Sequence, residues 1–318
     1  MSTRVIKFFM SKSFRTFLKH TAKDFHNQSV NPPVVRASTI IFKSMQHIRK
    51  TQLKAQKNPT GGHYDYGRQG TSTTHILQKI LTKLEESYHV FTTPTGFGSV
   101  FLAIFSVVRP GDEIIVADPV YSPTRILTQD FLKEFNIKTI FYNPHDIKTL
   151  EKKILTAIDN TWATPYYFKP IKFGFDMSIV SATKYYSGHS DVMGGSLAVN
   201  KKVFNKVKIA EKITGLRLGP DDAYLITRGL RTLDVRLDRH SENAKKVAAF
   251  LSKNKKFKLL YPYKKRSFNY RMWKKYYSGA SGLMGLKIKS NNINSVRKFV
   301  NSLKLFGYGY SWGGFESL

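Results

Sequence analysis

The chain has no cysteine among its 318 residues, which excludes a disulfide framework, a cysteine nucleophile, a thiolate zinc site and an iron–sulfur cluster together. It also has no long apolar run. The best, Val100 to Val108, is nine residues long and contains Ser106, well short of the ~20 residues that a membrane helix needs. The reading is a cytoplasmic protein with no membrane partner. Twelve prolines and 21 glycines are too few for a collagen-like or low-complexity chain. With 41% hydrophobic and 14% aromatic residues, a sizeable buried core is expected instead.

Acidic residues are scarce as well: 21 Asp+Glu face 52 Lys+Arg, a net charge of +31. Such an excess raises nucleic acid or an anionic surface as partners. The cations, however, are spread along the chain as short groups, among them Lys152-Lys153, Lys201-Lys202 and Lys274-Lys275, with no long block. A diffuse bias of this kind reads as solvated faces, and a nucleic-acid-binding role ranks last among the functions considered. The first 23 residues contain no acid and hold Arg4, Lys7, Lys12, Arg15 and Lys19, a pattern compatible with a leader; an untidy N-terminus is the plainer reading, since Met10 offers a downstream start.

Residues 1–60 show little periodicity and are read as an arm that leans on something else. From Ser72 the spacing of Ile76, Leu77, Ile80, Leu81 and Leu84 predicts an amphipathic helix ending near Tyr88. A strand at His89–Thr93, a turn at Thr95-Gly96-Phe97-Gly98 and a helix over Ser99–Val108 follow, then a strand at Glu113–Asp118, a helix over Thr124–Phe135 and a strand at Ile137–Tyr142. This alternation predicts an α/β fold with a mostly parallel sheet and crossover helices. The next predicted strand, Ile154–Asp159, comes after only Pro144 to Lys153, and a parallel crossover wants about a dozen residues or more. Either these two strands are not simple crossover partners, or a strand and a helix are absent at this point. Strands at Met177–Ser181 and Gly195–Asn200, helices to about Ser252 and a less regular tail complete the reading, with no internal repeat.

Three strand ends carry chemistry. Ser181-Ala182-Thr183-Lys184 follows one; a lysine there becomes a nucleophile toward an aldehyde when its pKa is lowered, and the hydroxyls before it suit a phosphate. Alone, such a lysine is more often a solvated surface charge. Asp159 closes another strand, where open α/β sheets place their ligands, and a carboxylate there can hold a pyridinium nitrogen protonated, the tuning that makes pyridoxal an electron sink; by itself it reads equally well as a helix cap. Gly96-Phe97-Gly98 opens a helix whose free N–H groups favour phosphate. The same turn does not make a dinucleotide fingerprint, because Phe101 occupies the third glycine position even though Asp118 lies at the right distance. Tyr121, past a further strand end, suits stacking on a flat ring or plain packing.

With these parts in order, the sequence resembles the pyridoxal-phosphate enzymes of trans-sulfuration, most closely the bacterial cystathionine β-lyases. The resemblance runs from about Val30 to Leu318 through VNPPVVRAST, YGRQGTSTT, DPVYSPT, DNTWATP, SATKYYSGHSDVMGG, RGLRTL and YSWGGFESL. It implies a fold type I large domain over residues 61–232 behind the 1–60 arm, with an incomplete small C-terminal α/β domain over 233–318. It implies pyridoxal 5′-phosphate as cofactor and no metal. Lys184 then carries the cofactor and acts as the catalytic base, Asp159 pairs with the pyridine nitrogen, Gly96, Phe97, Ser181 and Thr183 cradle the phosphate, and Tyr121 stacks on the ring with a catalytic part. Tyr66 and Arg68 reach the phosphate of a neighbouring subunit, so a homo-oligomer, a tetramer by family, is expected. Ser311 and Trp312 border a small amino-acid substrate. The implied reaction is β-elimination of cystathionine to homocysteine, pyruvate and ammonia in methionine biosynthesis. Two departures stand beside it: family members have a further strand and helix at the Pro144–Ile154 connection, and they continue past the YSWGGFESL segment to an arginine for the substrate α-carboxylate that no residue here matches. The alternative is a catalytically inactive remnant of the family.

Overall fold

The computed structural model describes residues 14–21, 29–63, 65–144, 154–262 and 269–318. At the centre is a four-stranded sheet made of β1 (His89–Thr93), β4 (Ala157–Asp159), β5 (Met177–Ser181) and β6 (Gly195–Val199), in the order β1-β6-β5-β4. Side chains alternate across a strand, and the alternation separates two cores. Val90, Val180 and Ala198 face one side, with Leu77, Ile80, Leu81 and Leu84 of the helix Ser72–Glu85 and Ile226, Leu230, Leu233 and Leu237 from the later helices. Phe91, Ile179 and Leu197 face the other, with Val100, Leu102 and Ala103 of the helix Gly96–Val107 and Val203, Phe204 and Val207 of the helix Lys201–Thr214. Helices therefore cover both faces of the sheet.

The sheet is mixed: three of its four strands point one way and one is reversed. β4 and β5 are parallel, but β6 runs antiparallel to both of its neighbours, β5 and β1. The link from β5 to β6 carries the lysine loop and no crossover helix, and parallel neighbours are usually joined through such a helix. β1, β4 and β5 still point the same way, so their carboxyl ends share one edge. In register, Ser181 and Thr93 both sit opposite Gly195 at that edge.

The remaining predicted strands stand apart. β2 (Glu113–Ala117) and β3 (Lys138–Tyr142) pair parallel with each other and form a sheet of their own. Leu127, Leu132 and Ile137 pack this unit against Phe101 and Ile104 of the helix Gly96–Val107. Among the described residues no strand joins it to β4. The segment that the sequence marks as too short, Pro144 to Lys153, lies outside the described residues except for Pro144. The strand expected over Ile154–Asp159 shrinks to Ala157–Asp159, which among the described residues is an edge strand paired on one side only. The helix expected over Thr124–Phe135 is a short α-helix, Ser122–Ile126, loosened through Leu127–Phe131 and tightened over Leu132–Phe135.

The arm is anchored near its start. Leu18 is fully buried, Phe14 packs 5.3 Å from the Tyr166 ring, and Lys19 Nζ donates to Asp234 at 2.7 Å. Farther on, the helix Met45–Lys57, capped by Ser44, buries no residue. A third small sheet, β7 (Phe257–Leu260) with β8 (Gly285–Ile288), is antiparallel. No helix of the described residues is long and apolar enough to cross a membrane.

Candidate active site

The shared strand edge brings several motifs into contact. After β1, the Thr95 side chain caps the helix Gly96–Val107 by accepting from the Gly98 N–H at 2.8 Å. That leaves the N–H groups of Gly96 and Phe97, in the first turn, pointing out of the helix end. Gly96 lies against the end of β5: a Cβ on it would sit 2.5 Å from Ser181 Oγ. Only a residue without a side chain allows this approach. Thr161 fixes the same corner, its hydroxyl accepting from the Ser181 N–H at 2.8 Å.

Three residues past β5, Lys184 turns its ammonium toward the tail of the chain. Its Nζ donates to Ser311 Oγ at 2.8 Å and lies 5.4 Å from the centroid of the Trp312 ring. Burial lowers the Lys184 pKa from its ordinary value, against the opposing field of Glu316. Trp312 in turn packs edge-on to Tyr185, 5.3 Å between centroids. Thr183 is drawn the other way: its hydroxyl accepts from the Gly194 N–H at 3.0 Å and faces the Gly194 carbonyl at 3.3 Å. Behind the lysine, Arg236 donates through Nη1 to the Tyr185 carbonyl and through Nη2 to the Gly229 carbonyl, both at 2.7 Å. Burial holds its guanidinium down to about 10, partly countered by Asp234.

The expected site residues fall into two groups. Gly96, Ser181, Thr183, Lys184, Ser311 and Trp312 form a connected set. The others touch none of the lysine's contacts directly. Asp159 is exposed on the β4 edge, its Oδ1 accepting from the Thr161 N–H at 3.0 Å. Phe97 is partly exposed, Tyr121 is 60% exposed where it opens the helix Ser122–Ile126, and Tyr66 is about half exposed. Arg68 lies over the Tyr66 ring at 5.8 Å and donates to the Lys212 carbonyl at 2.7 Å. With Arg36, Arg217 and Asp221 it lines a cavity of about 450 Å³. Thr161, Ser190, Arg236 and Glu316 were not singled out from the sequence. Thr161, Ser190 and Glu316 lie inside quoted motifs, DNTWATP, SATKYYSGHSDVMGG and YSWGGFESL, but nothing in residue spacing marks their partners. Among the described residues no group of three His, Asp or Glu side chains gathers to hold a metal ion.

Comparison with known proteins now decides the family. The family model described as Cys/Met metabolism PLP-dependent enzyme matches residues 16–155 and 149–318. The chain belongs to this family. Its cofactor is pyridoxal 5′-phosphate, and by family resemblance the chain is a carbon–sulfur lyase. A putative cystathionine beta-lyase from Rhizobium johnstonii is 35% identical over 334 residues, covering 93% of this chain and 82% of that protein. An L-alanine/L-glutamate racemase from Wolbachia pipientis is 31% identical, covering 91% and 82%. The crystal structure of cystathionine gamma synthase from Xanthomonas oryzae in complex with cystathionine superposes with a TM-score of 0.86 at 26% identity, covering 95% of this chain and 84% of that one. The match to the family breaks in two at 149–155, at the end of the connection that the sequence marks as short for a crossover. The 334-residue alignment is longer than the 318-residue chain, so the relative has residues with no counterpart here.

The site fits the family's cofactor at two places. The Gly96 cradle, with its first-turn N–H groups beside a serine hydroxyl, matches the needs of a phosphate. Lys184, partly buried with a lowered pKa, matches those of an amine that must react with an aldehyde.

Proposed function

We propose that the chain is a cystathionine β-lyase, cleaving the Cβ–S bond of cystathionine. The observation that carries this is the setting of Lys184, its Nζ held by Ser311 and covered by Trp312. Gly96, Phe97, Ser181 and Thr183 would hold the cofactor phosphate, Asp159 its ring nitrogen, and Tyr121 would cover the ring. When bound, pyridoxal phosphate supplies an electron sink for the bond broken at the substrate α-carbon.

The chain's own groups supply the rest. Burial raises the share of neutral amine at Lys184, which lets Nζ take the α-proton as a general base. The Ser311 hydroxyl sets the direction of Nζ, and the Trp312 ring keeps water from one side of it. Loss of the α-proton and breakage of the Cβ–S bond release homocysteine as its thiol. Water then hydrolyses the three-carbon remainder to pyruvate and ammonia. By family, Tyr66 and Arg68 would serve the phosphate of a neighbouring subunit in a homotetramer, and the enzyme would work in the cytoplasm.

One observation favours the second reading, an inactive remnant: β2–β3 and the four-stranded sheet share no strand pairing among the described residues. A single experiment separates the two. Purified protein with added pyridoxal phosphate is expected to show a borohydride-reducible absorbance band that Lys184→Ala lacks, and to release pyruvate from cystathionine. A band without pyruvate rejects the lyase reading for this substrate; no band in folded protein leaves only the remnant.

A further inference from the structure

The segment from Ser311 to Glu316 lies across the lysine loop like a strap. At its start Ser311 accepts from Lys184 Nζ at 2.8 Å. In its middle Gly313, at φ 89°, packs so closely that a Cβ would lie 3.2 Å from the Tyr185 nitrogen and 3.3 Å from Lys184 Cα. At its far end the Ser190 hydroxyl, six residues past the lysine, meets the Glu316 carboxylate at 2.6 Å from both oxygens. Gly314 lies between them with no room to spare, since a Cβ there would come within 2.0 Å of Ser190 Oγ.

Little else holds the far end. Phe315 is 82% exposed and Leu318 is 43% exposed. The Gly307 N–H donates to the Ser317 carbonyl at 2.9 Å, but this joins the tail only to its own upstream stretch. Among the described residues, Trp312 packs on Tyr185 at the near end. Ser190 itself sits at φ 57°, a left-handed backbone uncommon outside glycine and asparagine, which aims its hydroxyl at the strap.

We propose that the Ser190–Glu316 hydrogen bond is a clasp that seats Ser311 and Trp312 against Lys184, making Ser190 and Glu316 positioning residues for the lysine. The proposal rests on the reading of Lys184 as the functional amine, but its test does not need the cofactor. Glu316 is the charged group whose field reaches Lys184, so the measurement must separate access from charge.

The cofactor-free protein is treated with acetic anhydride, and acetylation of Lys184 is followed by peptide mass spectrometry relative to the exposed Lys206. Rates are read at the alkaline plateau, where the amine is neutral and the rate reports access. Ser190→Ala and Glu316→Ala are expected to raise the relative rate about fivefold, the scale of one lost hydrogen bond. Glu316→Gln, whose amide oxygen still accepts from Ser190, is expected to stay within about twofold of the parent. A parent-like rate in both alanine variants overturns the clasp, as does a Glu316→Gln rate equal to that of Glu316→Ala. Thermal unfolding checks that each variant is folded, and Ser190→Ala answers the question if Glu316→Ala does not fold. A missing cofactor band would remove the lyase reading and leave the labelling result standing.

Discussion

Glu85 ends the helix Ser72–Glu85 with its side chain fully buried. The Tyr186 hydroxyl lies 3.3 Å from its Oε1. Burial pushes the carboxyl up from its ordinary 4.5 to about 8, with the Tyr186 and Ser178 hydroxyls and Lys169 working against it. A carboxyl that keeps its proton to about 8 when folded, and loses it near 4.5 when unfolded, favours the folded state fully below pH 4.5. That advantage is lost as the pH rises through 8. Glu85→Gln removes the titration. Urea unfolding is therefore expected to show the variant gaining on the parent as the pH rises from 5 to 8, by a few kcal/mol on the order set by the shift. Buried His75 and His89, whose pKa values burial lowers to about 4, act equally in both proteins and cancel. A constant difference across that range would show that Glu85 ionises normally. At this scale Lys184, Ser181 and Gly96 were legible in the sequence because each sits in a short motif at a strand end. Glu316 was not: its partner Ser190 lies 126 positions away, and only the tertiary fold brings the two together.

Arg236 acts at the level of elements. From the helix Leu233–Leu251 its guanidinium reaches the carbonyls of Tyr185 and Gly229, and lies 3.4 Å from that of Tyr186. It thereby ties the lysine loop to the helix Pro220–Leu230 and to its own. No acidic side chain hydrogen-bonds to it among the described residues, so what it supplies is donors to carbonyls that the loop geometry leaves without helix partners. Arg236→Met keeps the apolar stem and removes the donors. Equilibrium urea denaturation is expected to show a loss of about 3 kcal/mol, the cost of stranding two or three partly buried carbonyls; a loss under 1 kcal/mol would mean that water replaces it. The elements themselves were mostly readable. Heptad-like spacing marked the helix Ser72–Glu85, and short β-branched runs marked the strands. Strand direction was not readable, because it depends on where a strand inserts, and β6 enters between β1 and β5. The helix Met45–Lys57 escaped because its pattern is polar nearly all round and it buries nothing.

Across the whole molecule, the sequence and the structure agree on one irregularity. Ten residues are short for a crossover, the family match divides at 149–155, and among the described residues the strands on either side lie in separate sheets. Connection length is a physical limit that a single sequence reveals without any structure. The place of the irregularity was therefore legible in the sequence, while the separation of the described strands into two sheets was not.

Among the described residues, that division leaves β4 with an unpaired edge beside its three short rungs, the sort of edge on which another copy's strand can add. Natural sheets blunt such edges with charge, and here the blunting is supplied by the chain as a whole: a net +31 per chain opposes association beyond the proposed tetramer over the roughly 10 Å reach of electrostatics at 0.1 M salt, a reach that shrinks to about 3 Å at 1 M. The protein should therefore behave as a colloid stabilised by its own repulsion, clear in dilute buffer and increasingly associated as salt is added. Light scattering across that range gives the check, and scattering that falls with salt would mean the open edge is already covered.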